Sequence, residues 1–399
     1  MLTVEEAVAR LIGAARPVAK VEEGSPAAAF NRVLAEDIVA PVAVPPADNS
    51  AMDGYAYCAA DALAAGFRLP VSQRIPAGAV AAPLPPGSAA RIFTGAEIPL
   101  GADTVAMQED CVVGEEVVGQ RVVTLPVDGP KGDNIRRRGQ DIGVGEVILK
   151  AGTRLRPQEM GLLASLGFSK VPVYRPLRVA VFSTGDELVE PGGQLGPGQI
   201  FNSNRATLAG LLAAWGMEMV DLGIVRDRPE LIADKLREAA SGADLVVTSG
   251  GGSVGEEDHV KAVVSGLGTL DFWKIAIKPG KPLAFGEVLG VPFVGLPGNP
   301  ASVFVTALVL LRPLLFRLQG SADSQPKAVS APALFRRKAV KRQEYLRARL
   351  LDGGIEIFPN QSSGVLSSAC WGDGLAVQYP GQAIEPGDRL DFYHYRSLF

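Results

Sequence analysis

The sequence predicts a multidomain chain of α/β and β class: a doubly wound α/β domain, a β-rich inserted module, a small mixed α/β linker domain and a C-terminal β-barrel. Three observations carry this. At 399 residues the chain exceeds what one hydrophobic core serves, and a prior of roughly 100 to 200 residues per domain gives two to four domains. From Arg178 onward short apolar runs alternate with helical patterns, as in a parallel sheet with crossover helices. The segments on either side instead show brief alternating runs broken by Gly and Pro. The predicted division is 1–47 with 142–176 for the N-terminal helix and connecting domain, 48–141 for the β-rich module, 177–320 for the α/β domain and 328–399 for the barrel.

In chain order, Thr3-x-x-Glu6 ahead of an apolar-periodic run reads as a capping box opening a folded helix and not as a signal peptide. Residues Asp48 to about Gly145 are rich in Val, Gly and Pro and carry alternating runs such as Val122–Val127, which predicts the β module. A helical pattern returns at Ala151–Leu166. Then come a strand at Arg178–Ser183, a helix after Asn204, a strand near Val220–Val225, a helix from about Pro229 and a strand at Asp244–Ser249. Asn299 followed by Pro300 is an N-cap with proline at the first helical position, so an apolar helix starts there. Its run Ala301–Leu311 meets Arg312 and Pro313 well short of the ~20 residues of a membrane span, and a buried helix is expected. After Gly320 a linker leads to about Val329. Repeated turns at 352–354, 371–374 and 385–388 then predict a small β-barrel or sandwich.

Composition excludes several functions. A net charge of −4 leaves no global basic footprint, so nucleic acid is not expected as a partner, and Arg136–Arg138 reads as a solvated face. Three scattered cysteines, Cys58, Cys111 and Cys370, exclude a disulfide framework and suit reduced thiols in the cytoplasm. With only His259 and His394 beside them, a protein-ligated transition metal is not expected.

The chemistry concentrates between Asp244 and Pro300. There a glycine-rich loop with trailing acids (Ser249, Gly250, Gly251, Gly252, Ser253, then Gly255, Glu256, Glu257, Asp258) is followed by LysProGlyLysPro at 278–282 and ProGlyAsnPro at 297–300. Glycines let backbone N–H groups approach a phosphate, helix starts favour anions, lysines neutralise oxyanions and carboxylates hold a divalent cation. A phosphorylated substrate follows. Lys278 and Lys281 flank a rigid ProGly turn, which suits a tetrahedral oxyanion, the alternative being two solvated loop lysines. Ser183, Thr184, Gly185, Asp186 and Glu187 end a strand where a hydrated magnesium ion could sit beside a diphosphate, and Asp227 ends another strand correspondingly. Helix caps and turns are the alternative for these acids. Gly250, Gly252 and Gly255 with Asp271 also match a nicotinamide-binding pattern, which the acids after Gly255 disfavour.

These residues resemble the MoeA-type molybdopterin molybdenumtransferases, related to the gephyrin E domain. The likeness covers almost the whole chain, through Asp48–Ala56, Arg91–Ala96, Asn134–Asp141, Phe182–Leu188, Ser249–Asp258, Ile277–Pro282 and Gly295–Pro300. Two departures stand out: Gly252 replaces a usual aliphatic residue, and Ser362–Gly364 replaces a GlySerHis-like segment. The resemblance implies a molybdenum-cofactor-binding α/β domain and insertion of molybdate into adenylylated molybdopterin, with AMP released and Mg2+ assisting. It implies a homodimer, admits the molybdopterin adenylyltransferase and molybdoenzyme chaperones as partners, and calls for no membrane. Residue by residue, Asp53, Thr94 and Asp141 would come from the β module; Glu187, Asp227 and Asp258 would act in catalysis and hold the metal. Lys278, Lys281, Pro282 and Ser302 would form the anion pocket, joined by Arg347 and Ser363 from the C-terminal domain. A molybdopterin adenylyltransferase and a gephyrin-like scaffold binding partner peptides are the rival readings.

Overall fold

Six strands build the sheet that positions the site: β1 (Arg178–Thr184), β2 (Glu218–Val225), β3 (Leu245–Ser249), β4 (Gly268–Lys274), β5 (Pro282–Val288) and β6 (Val291–Leu296). Their spatial order is β2-β1-β3-β6-β5-β4. The first four run parallel, while β5 and β4 are added antiparallel. The chain leaves β1 toward β2 and returns to β3 on β1's other side, so the ligand crevice of such a sheet opens at the carboxyl ends of β1 and β3. In this computed structural model residues 1–117, 120–127, 129–250 and 259–399 are described, in two units: 1–36 with 151–160 and 170–399, and 37–150 with 161–169.

Period-two side-chain alternation gives the sheet two apolar faces. Val179, Val181, Val247 and Val294 pack against α1 (Val4–Ala14), α2 (Ser203–Ala214) and α5 (Pro300–Leu318). Ala180, Phe182, Val246 and Phe293 pack against α3 (Pro229–Gly242) and α4 (His259–Leu267). Helices on both faces make the sheet doubly wound, as expected. The Thr3–Glu6 capping box is formed reciprocally at the start of α1.

The interruption expected of the apolar run at Arg312 and Pro313 does not stop the helix, because α5 runs through both to Leu318. A π-helical turn at Ala307–Leu311 sits directly upstream and shifts the carbonyl ladder where proline supplies no N–H. The Arg312 guanidinium donates to the carbonyls of Leu398 and Ser324 and stacks over Phe316, so its charge is carried inside. At 19 residues and a mean hydropathy of 1.8, α5 has the length and composition of a membrane span, yet 89% of that stretch is buried in the fold. It is the core helix.

The C-terminal sheet orders its strands as Ile277–Lys278, Gln343–Leu351, Gly374–Gln378, Arg389–His394, Val329–Pro332, with Gly354–Ile357 also on Gln343–Leu351. A bridge between Ala333 and Ile355 brings its ends together around Leu346, Ile384, Leu390 and Phe392. Its first strand is borrowed: Ile277 and Lys278, from the α/β segment, pair in parallel with Gln343 and Glu344.

The second unit holds a mixed six-stranded sheet, ordered Thr104–Met107, Gly54–Tyr57, Ala89–Ile92, Arg68–Ile75, Gln120–Thr124, Val112–Val117. Gly54–Tyr57 is buried throughout. A Cβ on Gly54 would lie 1.9 Å from the Ala106 carbonyl oxygen, which is why the AspGlyTyrAla motif needs glycine there.

Candidate functional site

Two cavities open where the parallel strands end, and they share the turn Gly298–Asn299 that follows β6. The first, about 480 Å³, is lined by Lys278, Lys281, Pro282, Ser302 and Ser363, all expected at an anion pocket. Asn299, Arg342, Gln361 and Ser362 complete its wall. The second, about 600 Å³, is lined by Thr184 and Glu187 after β1, by Ser249 and Gly250 after β3, and by Asn202 and Asn204 at the start of α2.

In the first cavity the two lysines stand in different circumstances. Lys278 Nζ lies 2.9 Å from Glu344 Oε1, and the other oxygen of that buried carboxylate accepts from Arg337 at 2.9 Å. The parallel pairing of Lys278 with Glu344 forces this meeting. Among the described residues Lys281 has no ion-pair partner and keeps its whole charge for the cavity. Arg347 is buried beneath the wall: Nε donates to Ser368 Oγ at 2.9 Å and a terminal nitrogen to the Ser362 carbonyl at 3.1 Å. Burial lowers the pKa of its guanidinium. Arg347 thereby fixes the 361–363 loop, whose Ser363 carbonyl takes the Ala301 N–H at the start of α5. Asn299 occupies the N-cap position with Pro300 first in the helix, but its side chain caps nothing.

The second cavity has no lysine or arginine on its wall and presents hydroxyls, amides and the Glu187 carboxylate. Ser183 and Ser249 hydroxyls lie 2.8 Å apart, side by side on the adjacent strands β1 and β3. Gly250 has φ +90°, and a Cβ there would come within 2.6 Å of the Thr184 carbonyl oxygen, so the close approach of the two strand ends requires glycine. Asn202 caps α2 by accepting from the Arg205 N–H, and its amide nitrogen is buried without a partner. Asn204 donates 2.7 Å to the Gly298 carbonyl and leaves its own oxygen unpartnered.

The acids expected at a cation are partly described. Glu187 lines the second cavity, and the Asp227 N–H donates to Asp186 Oδ1 at 3.4 Å, which joins the loops after the neighbouring strands β1 and β2. Asp258 lies outside the described residues, as do Gly251, Gly252, Ser253, Gly255, Glu256 and Glu257. Among the described residues no three His, Cys, Asp or Glu side chains gather as a metal cluster. Asp271 lies in the middle of the antiparallel edge strand β4, opposite Phe285, and not at the carboxyl end of a parallel strand where a ribose-binding acid belongs. That geometry removes the basis of the nicotinamide alternative.

In the second unit the strand register Gly54↔Ile92 brings Asp53 to Thr94. The Thr94 N–H and hydroxyl both donate to Asp53 Oδ1 at 2.8 Å, and together, the N–H foremost, they hold its carboxyl below the usual aspartate range. Asp141 sits on a separate turn, its N–H given to the Val44 carbonyl, and no hydrogen bond joins it to that pair. Of the three arginines, Arg137 is not simply solvated: it donates to Asp48 at 2.7 Å.

Sequence reasoning missed Asn202, Arg342, Glu344 and Gln361. Asn202 carried a readable signal, since an Asn before an apolar helix at a strand's end is a cap placed at a ligand edge. Glu344 carried none, because its partner is 66 residues away.

Comparison with known proteins agrees with this layout. Residues 2–167 match the MoeA N-terminal region (domain I and II), 180–317 a probable molybdopterin binding domain, and 330–395 the MoeA C-terminal region (domain IV). A molybdopterin molybdenumtransferase of Haemophilus influenzae is 44% identical over 87% of this chain and 85% of its own. One from Nostoc is 38% identical over 90% and 84%. The crystal structure of the molybdopterin biosynthesis protein moeA from Pyrococcus horikoshii superposes with a TM-score of 0.84 at 30% identity, covering 99% of this chain and 100% of that one. Matched in all three regions and along most of its length, the chain belongs to the molybdopterin molybdenumtransferase family of enzymes.

Proposed function

We propose that this enzyme inserts molybdate into adenylylated molybdopterin, releasing AMP and forming molybdenum cofactor. The observation that carries the reading is the pair of cavities sharing one turn, one lined by lysines and the other by hydroxyls, amides and the Glu187 carboxylate. Molybdate, a compact tetrahedral dianion, suits the lysine cavity; the larger phosphorylated substrate suits the cavity of hydroxyls, amides and a close backbone turn.

Lys278 and Lys281 hold the oxyanion at the shared turn, where the substrate's dithiolene sulfurs displace two oxygens from molybdenum. Two Mo–S bonds form, and the displaced oxygens leave as water with the thiol protons and protons from solvent. Fixing both reactants on one turn replaces a bimolecular encounter with a positioned one. Thr184, Ser249 and the Gly250 backbone orient the phosphates, and water cleaves the phosphoanhydride to free AMP. Glu187 and Asp227, on loops joined through Asp186, fit a hard cation that takes one or two carboxylates and keeps its waters. With Asp258 they would hold magnesium, which when bound withdraws charge from the phosphoanhydride. In the same reading the enzyme acts as a cytoplasmic homodimer, and Asp53, Thr94 and Asp141 of the second unit serve the cleft of the partner subunit.

The decisive test replaces both lysines by alanine. At limiting molybdate, cofactor formation should fall by about 10³-fold in kcat/KM, a loss of the size seen when charge stabilisation is removed from a site. Unchanged yield in a variant with the wild-type melting temperature refutes the assignment. Pyrophosphate release from ATP and molybdopterin would instead identify an adenylyltransferase.

A further inference from the structure

We infer that Glu344 is a positioning residue that sets how tightly the lysine cavity holds an oxyanion. The inference rests on the oxyanion-handling reading of that cavity. Glu344 is 5% exposed and lines neither cavity, yet its two oxygens are divided between Lys278 and Arg337 at 2.9 Å each. Lys278 keeps 40% of its side chain exposed toward the cavity. An ammonium has three donors, so one is spent on Glu344 and two remain for a tetrahedral anion. The tether is built in: Lys278 and Glu344 are opposite in the parallel pair joining the lysine turn to the C-terminal sheet.

Two consequences follow. The carboxylate fixes the direction of Lys278, which would otherwise sample many rotamers at an entropic cost on binding. It also places one negative charge behind the ammonium and so weakens the hold on a dianion. A site that must surrender its oxyanion to incoming sulfur ligands gains from that restraint, since extra binding of the ground state raises the barrier to leaving it. Glu344 thus trades affinity for turnover, while Lys281, with no such partner among the described residues, is not restrained in this way.

The test is calorimetric titration of inorganic molybdate, with sulfate as a second probe, into the full-length protein and its Glu344→Gln variant, with no pterin present. The variant should bind molybdate about tenfold more tightly, because Lys278, freed from its ion pair, meets the anion with its third donor and its full charge. In the insertion assay both KM for molybdate and kcat should fall. The tightening should vanish in a Lys278→Met background, because Glu344 acts through Lys278. A Kd that is unchanged or higher in a variant of wild-type melting temperature overturns the inference, as does a tightening that persists without Lys278. Should Glu344→Gln not fold, Glu344→Asp keeps the charge but draws it back from Lys278; a Kd below wild type then supports the coupling, and one unchanged or higher overturns it. Absence of molybdate binding to the wild-type protein would sink the oxyanion reading itself.

Discussion

The two cavities at the Gly298–Asn299 turn are neighbours built from opposite chemistry. The lysine cavity relies on formal charge, and its strongest constraint, the Lys278–Glu344–Arg337 chain, comes from the C-terminal sheet. The other relies mainly on hydroxyls, amides and backbone groups from the α/β sheet, with Glu187 on its wall and two buried amide atoms, on Asn202 and Asn204, left unpartnered. A compact ion needs attraction with little shape, whereas a larger ligand is recognised by directional groups that cost energy when left unmatched. The difference is why the proposed function gives each cavity its own class of ligand.

The contrast is broken most severely at the second cavity by Gly250→Ala. The new methyl meets the Thr184 carbonyl oxygen at a positive φ, so unfolding stability should drop by about 1–3 kcal/mol, read by urea denaturation. KM for the phosphorylated substrate should rise far more than KM for molybdate; equal rises would mean that the cavities are not separate. Next in size is Arg347→Met. Losing charged hydrogen bonds to Ser368 and to the Ser362 carbonyl should cost about 1.5–3 kcal/mol of stability. Here the kinetic defect should fall mainly on molybdate, because the loosened loop gives Gln361, Ser362 and Ser363 to the lysine side and only Gly364 to the other. The mildest is Asn204→Ala, which frees the Gly298 carbonyl at the shared turn. One neutral hydrogen bond is worth about 1 kcal/mol, so both KM values should rise by severalfold together. A change confined to one substrate would show that the turn is held without Asn204.

Much of this was legible in the sequence where local physics decides it. The alternation of apolar runs and helical patterns predicts β1, β2, β3, α3 and their doubly wound arrangement, and the Thr3–Glu6 box predicts the start of α1. LysProGlyLysPro and ProGlyAsnPro were readable as parts of one site, and both line the first cavity, because proline and glycine fix the backbone locally. Tertiary partners were not readable. Glu344 meets Lys278 only because a two-residue strand crosses into another sheet, and two residues carry no periodicity. Asn299 reads as a helix cap from its neighbours, yet its side chain makes no capping hydrogen bond and the residue lines both cavities. Arg312 and Pro313 read as an interruption of the apolar run because nothing local announces the π-turn that lets the helix pass.

The borrowed strand Ile277–Lys278 has a mechanical corollary. Its backbone is stitched to Gln343 and Glu344, so the C-terminal sheet cannot be displaced as a rigid body without dragging Lys278 along. Lys281, beyond the ProGly turn, is paired to no strand of that sheet. A swing of the sheet would therefore change the spacing of the two lysines, and under the proposed function it would couple the hold on the ion to the movement of the sheet.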